Sequence, residues 1–121
     1  KPIDLLGTPY AELNCYELVR KCAEVCYGIT YPEIPNFLVD PVLTIQKELA
    51  VGQWVSVPYD SKREGDIVTL SAVTGLAGHV GIVIEFGYVM HNDKKYGALI
   101  QDEDGLRRRG YLYRAAYRRA M

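Results

Sequence analysis

No stretch of this 121-residue chain approaches the 18 or more apolar residues that a membrane-spanning helix needs, so insertion by such a helix is not expected. An excess of one charge is also missing. Fourteen Lys and Arg stand against fifteen Asp and Glu, a net charge of -1, which removes the footprint that non-specific nucleic-acid binding requires. The one local imbalance lies in residues 102–121, where six arginines meet three acids, a charge pattern that suits a solvated strand or an anionic polymer. The first twenty residues, which begin with Lys1 rather than Met, lack the basic, apolar and small-residue succession of a secretory signal.

Cysteine is scarce and clustered: Cys15, Cys22 and Cys26 lie within one twelve-residue stretch, an odd number unable to staple the fold end to end. Neither a GxSxG elbow nor a GxxxxGK[ST] loop is present, so serine hydrolysis and phosphate cradling find no support. What the chain does have is 49% apolar residues, enough for one core without disulfides or metals, and residues 1–121 are read as a single domain.

From Asn14 the apolar residues Cys15, Leu18, Val19, Cys22, Val25 and Cys26 recur at spacings of three and four, which predicts a helix over 15–27. Asn14 suits its N-cap, Glu17 completes a capping box, and Gly28 marks the stop. Residues 29–40, with Pro32 and Pro35, read as a loop, and Pro41 opens a second short helix with Ile45 and Leu49 on its apolar face. After Gly52 the period falls to two. Strands are expected at 54–59, 66–71, 79–86, 88–91, 97–100 and 111–117, joined by turns too short for crossover helices. The fold class is therefore α+β: helices first, then a five- or six-stranded antiparallel meander or small partly closed barrel.

Cys15 opens the first helix, where unpaired backbone N–H groups and the positive end of the dipole lower a thiol pKa and can hold an oxyanion. Such a cysteine suits a nucleophile, and it also suits a core position. Cys22 and Cys26, one and two turns on, read as small hydrophobes. The only two histidines are His79, at the start of a strand, and His91, at the end of the next. If the chain reverses at 85–87, the imidazoles meet, one to take the thiol proton and the other to orient it. Zinc competes for the same atoms, with Cys15, His79, His91 and a carboxylate as ligands, but no short Cys or His knuckle is present. No cofactor is expected.

These residues resemble the NlpC/P60 cysteine peptidases, papain-like enzymes of peptidoglycan turnover. LLGTPY (5–10) looks like the family's opening motif, NCYELV (14–19) its Cys-bearing helix start, EGDIV (64–68) the following strand, HVGIVI (79–84) the histidine strand, and VMH (89–91) the strand of the third polar residue. RGYLYRAAYR (109–118), LVR (18–20) and GITYPEIP (28–35) are similar to segments of phage and prophage members. The resemblance implies a Cys-bearing helix packed on an antiparallel sheet, with Cys15 as nucleophile, His79 as base and His91 as orienting residue. It also implies Tyr10, with Asn14 and Tyr16, for oxyanion or substrate positioning. The substrate implied is a peptidoglycan stem peptide cleaved between γ-D-glutamate and the diamino acid, at the bacterial cell wall or from a phage tail.

The chain departs from the family pattern at three points. Asn14 replaces an Asp, Tyr16 and Glu17 replace Ser-Gly, and the Gly-Gly loop between the tyrosine and the cysteine is missing. Bulk and charge at 16 and 17, with the shortened approach that brings the Tyr10 ring close to Cys15, are expected to narrow the groove and to favour free stem peptides over crosslinked sacculi. The alternatives are a non-catalytic phage tail or assembly component retaining the fold, with phage tail proteins as partners, and an amidase or acyltransferase acting on another amide or thioester.

Overall fold

The computed structural model describes residues 1–34, 40–51, 53–72 and 75–119. Helix α1 spans Cys15–Tyr27, the range predicted from its periodicity, and α2 spans Pro41–Ala50. The strands are β1 (Trp54–Val57), β2 (Ile67–Ala72), β3 (His79–Val83), β4 (Val89–Asp93), β5 (Gly97–Gln101) and β6 (Tyr111–Arg119), with a short helix α3 (Glu103–Arg108) between the last two. Part of the loop expected over 29–40, residues 35–39, lies outside the described residues.

Both ends of α1 are closed by local chemistry. Asn14 Oδ1 accepts the Glu17 N–H at 2.9 Å, while Glu17 Oε1 accepts the Asn14 N–H at 3.2 Å, the reciprocal pair of a capping box. Gly28 ends the helix at φ +64°, a left-handed conformation that glycine adopts without a Cβ clash. Leu18, Val19, Cys22 and Ala23 are fully buried on its inner face. Val25, expected on that face, is 57% exposed because it lies at one edge of the stripe in the last turn.

The sheet is antiparallel and open, in the order β1-β6-β2-β3-β4-β5. Strands β2 to β5 form the expected meander, but the chain then crosses through α3 and inserts β6 between β1 and β2, so the sheet is neither a simple meander nor a barrel. Helix α3 was not anticipated: DEDGLRRRG has Leu106 as its one large apolar residue and Gly105 inside, leaving no period to read. Its signals are polar. Asp102 caps the Gly105 N–H, acids occupy the first turn and arginines the last, each matched to the helix dipole.

Alternation along the strands divides the apolar residues into two clusters. Ile67, Val80, Ile82, Met90 and Ala98 pack with α1, whereas Val68, Leu70, Val83, Val89 and Ala116 pack with Leu106 of α3. Even-numbered residues of β3 therefore face α1 and odd-numbered ones face α3. His79 shares parity with Val83, and His91 with Val89. Both imidazoles thus arise on the α3 face, opposite the helix that carries Cys15.

Candidate active site

Cys15 occupies the first position of α1, where the cap has consumed the Glu17 N–H but the N–H groups of Cys15 and Tyr16 remain directed at the approach to the helix. Its sulfur lies close enough to the Val80 N–H, the Tyr16 N–H and the Tyr10 hydroxyl for these donors to favour the thiolate. The Val80 contact follows from the sheet. Val80 pairs with Thr69 of β2, whereas pairing of β3 with β4 ends at Gly81↔His91, so Val80 has a ladder partner on one side only. The thiol on the α1 face is thereby brought to the backbone of the residue after His79.

The thiol is not depressed as the helix-start argument expects. Cys15 is 1% exposed, and burial pushes its pKa up to about 11 against the Val80, Tyr16 and Cys15 N–H groups and the Tyr10 hydroxyl, which favour the thiolate. Desolvation of a sulfur anion outweighs the helix terminus here, so the resting group is a neutral thiol.

The two histidines meet as expected. Gly81 pairs with His91 across the ladder, which makes His79, two residues earlier on the same face, its diagonal neighbour. His79 Nε2 and His91 Nδ1 are 3.0 Å apart, with the rings nearly perpendicular at 89°. Gly81 is required by this approach: a Cβ there would stand 2.6 Å from a Val89 methyl and 3.3 Å from the His91 Cβ. Burial, then the proximity of His91, lowers the His79 pKa to about 3. Burial likewise lowers that of His91, against a hydrogen bond to Gln101 that raises it. Both imidazoles are neutral at physiological pH.

His79, Tyr10, Tyr111, Asn92 and Asp93 line a groove of about 600 Å³, rimmed by Lys94 and Lys95. The Tyr111 ring stacks on His79 at 4.6 Å, and its hydroxyl donates to Asp93 Oδ2 at 3.0 Å. Asp93 also accepts the Lys95 and Tyr96 N–H groups, so its charge serves the turn that carries the lysines. Lys94 stands 5.7 Å from the centre of the Tyr10 ring.

Among the residues expected to position substrate, the structure separates three cases. Tyr10 is beside the thiol, as expected, despite the missing loop. Asn14 serves the helix cap. The Tyr16 side chain is 3% exposed and its hydroxyl donates to the Pro32 carbonyl at 2.6 Å, among core residues rather than in the groove. What Tyr16 offers the sulfur is its N–H. Glu17 folds back onto Asn14, so the narrowing expected from residues 16 and 17 is absent, and of the expected causes only the approach of Tyr10 to Cys15 is found. Tyr10 is the residue that stands between groove and thiol. As for zinc, the imidazoles bond to each other, and among the described residues no group of three or more His, Cys, Asp or Glu is placed to hold a metal ion.

Three contributors escaped the sequence reading. Gln101 Oε1 stands 2.7 Å from His91 Nε2. Tyr111 backs His79, and the buried Asn92 donates to the Leu13 carbonyl, tying β4 to the approach of α1. Polar residues at strand ends carry no periodic signature, and only the sheet register makes them neighbours, through β3–β4–β5 for Asn92 and Gln101 and through β6–β2–β3 for Tyr111.

The shifted groups set a pH window for stability. His79 and His91 titrate near 6.5 in an unfolded chain but lower when folded, so protonation favours unfolding. Stability should be flat above about pH 6.5 and fall toward pH 3, by about 1.4 kcal/mol per pH unit for each histidine titrating. Cys15 acts in the opposite sense. Its folded pKa is raised, so stability held below an unfolded thiol value of about 8.5 is lost as pH rises through about 11. Urea midpoints between pH 4 and 10 should show a plateau near pH 6.5 to 8.5, with the acid limb flattened in His79→Ala. An acid limb of unchanged slope in that variant would contradict the assignment.

No protein-family model matches this chain, and no curated protein matches it in sequence.

Proposed function

We propose that the protein is a cysteine peptidase of the papain-like NlpC/P60 type, cleaving an amide bond in peptidoglycan stem peptides, with the γ-D-glutamyl to diamino acid bond as the target. The observation that carries this reading is the pairing of a helix-start thiol, beside Tyr10 and the Val80 N–H, with a hydrogen-bonded histidine pair beginning at the adjacent residue.

In this reading the Cys15 sulfur attacks the carbonyl carbon as its proton passes to His79 Nδ1, the ring nitrogen not engaged with His91. The N–H groups of the first helical turn and the Tyr10 hydroxyl receive the oxyanion. His79 returns the proton to the departing amine as the C–N bond breaks, and water then hydrolyses the thioester, releasing the acid and restoring the thiol. Because thiol and imidazole are both neutral at rest, attack and proton transfer are coupled rather than preceded by an ion pair. The lysine rim supports an anionic substrate, since a stem peptide carries free carboxylates beside the scissile bond.

One observation favours the non-catalytic alternative. Cys15 is 1% exposed, so turnover requires Tyr10 to give way before a carbonyl reaches the sulfur. The deciding experiment is incubation of wild-type protein and a Cys15→Ala variant with purified stem peptides, with products read by mass. Cleavage between D-glutamate and the diamino acid by wild type only is the expected result. No cleavage of any cell-wall fragment would move the assignment to another amide or thioester, or to a structural role.

A further inference from the structure

We infer that Gln101 is a positioning residue that sets the proton arrangement of both histidines, so that the bare ring nitrogen of His79 is Nδ1. The inference rests on the peptidase reading for its kinetic consequence only. The hydrogen-bond chain itself stands on geometry.

The chain starts from a group whose polarity is not in doubt. Gln101 Nε2 lies 3.2 Å from the Gly105 carbonyl, which can only accept, so the amide NH₂ faces α3 and Oε1 faces His91. His91 Nε2 stands 2.7 Å from that oxygen and must therefore carry the hydrogen. A neutral imidazole has one N–H, so His91 Nδ1 is bare and accepts from His79 Nε2 at 3.0 Å. His79 then has its own single hydrogen on Nε2, and Nδ1 is the basic atom. One carbonyl on α3 thus determines, through two side chains, which atom of His79 can take a proton.

Register and packing explain why this series is held. His91 pairs with Leu99 on β5, and Gln101, two residues on, lies on the same face as its diagonal neighbour. The three side chains therefore step diagonally across β3, β4 and β5. His91 is fully buried, with both ring nitrogens engaged, so it has no route to rotate its hydrogen to the other nitrogen without losing a bond at each end. Gly105 belongs to the same device. A Cβ at that position would stand 3.1 Å from Asp102 Oδ1 and 3.2 Å from Gln101 Cβ, so both the helix cap and the stem of Gln101 would have to give.

The test begins with wild-type protein, so it does not depend on a variant folding. Imidazole ¹⁵N spectra at neutral pH should show both histidines with hydrogen on Nε2 and a bare Nδ1. Hydrogen on Nδ1 of His91, or a mixture on either ring, would overturn the inference. In Gln101→Leu, with folding verified by amide spectra, both rings should become mixtures, and kcat on a cleavable peptide should fall by about tenfold or more with KM changed by less than about twofold. Unchanged tautomers in the folded variant would also overturn it. Ordered tautomers in a wild type that cleaves no stem peptide would retire the proposed substrate and leave the role of Gln101 standing.

Discussion

Cys15→Ala is expected to fold and to lose at least about a thousandfold in turnover, leaving no thioester route. The substitution removes one buried sulfur and its contacts with the donors of Val80, Tyr16 and Tyr10, a cost on the order of 1 kcal/mol that a domain of this size tolerates. Loss of activity is then chemical rather than structural. The same structure alters the expectation for thiol reagents. A thiol lowered by a helix start would alkylate faster than Cys22 or Cys26, yet Cys15 is 1% exposed with its pKa pushed up to about 11. Cys26, only partly buried, should take iodoacetamide first, and Cys22, fully buried with a pKa of about 12, last. Cys15 should be trapped by a peptide carrying an electrophilic carbonyl, which brings its own binding energy to displace Tyr10. Peptide mapping after timed labelling measures both rates. Turnover surviving in Cys15→Ala would rule out the thiol mechanism.

The second large effect separates the two histidines. His79→Ala should cost about a thousandfold in kcat/KM, near the upper range for removal of a general base, whereas His91→Gln or His91→Asn should retain measurable activity, reduced by about ten- to a hundredfold. The reason is positional. His79 lines the groove, and its Nδ1 is not engaged with His91, while His91 is fully buried with its nitrogens committed to His79 and Gln101. His91 has no access to substrate and acts through its neighbour. An amide at 91 can still accept from His79 Nε2, which preserves the orientation at lower strength. Steady-state rates on one stem peptide, with urea midpoints to confirm folding, decide the matter. Equal and complete loss in folded His79 and His91 variants would mean that the roles are shared or reversed.

Much of the chain was legible because its periodicities are strong. Spacings of three and four with an Asn-x-x-Glu cap and a glycine stop located α1 to the residue, since local hydrogen bonds and amphipathicity suffice to define a capped helix. Alternation after Gly52 located all six strands to within a few residues, and the 85–87 turn brought His79 to His91 because an antiparallel return leaves few other registers. Helix α3 was missed because its stability comes from capping, dipole charges and one buried leucine, none of which has a period.

The amino-acid sequence by itself determined α1, α2 and the strands, the antiparallel return between the histidines, and the presence of a thiol at a helix start. Tertiary structure decided the rest. It inserted β6 between β1 and β2, turned Tyr16 into the core and Glu17 into the cap, and carried Gln101 to His91 from ten residues away. It also reversed the expected ionisation of Cys15. A helix terminus stabilises a thiolate by local, sequence-readable dipoles, but desolvation depends on every group packed around the sulfur, and those groups come from Tyr10, Val80 and the strands beyond them.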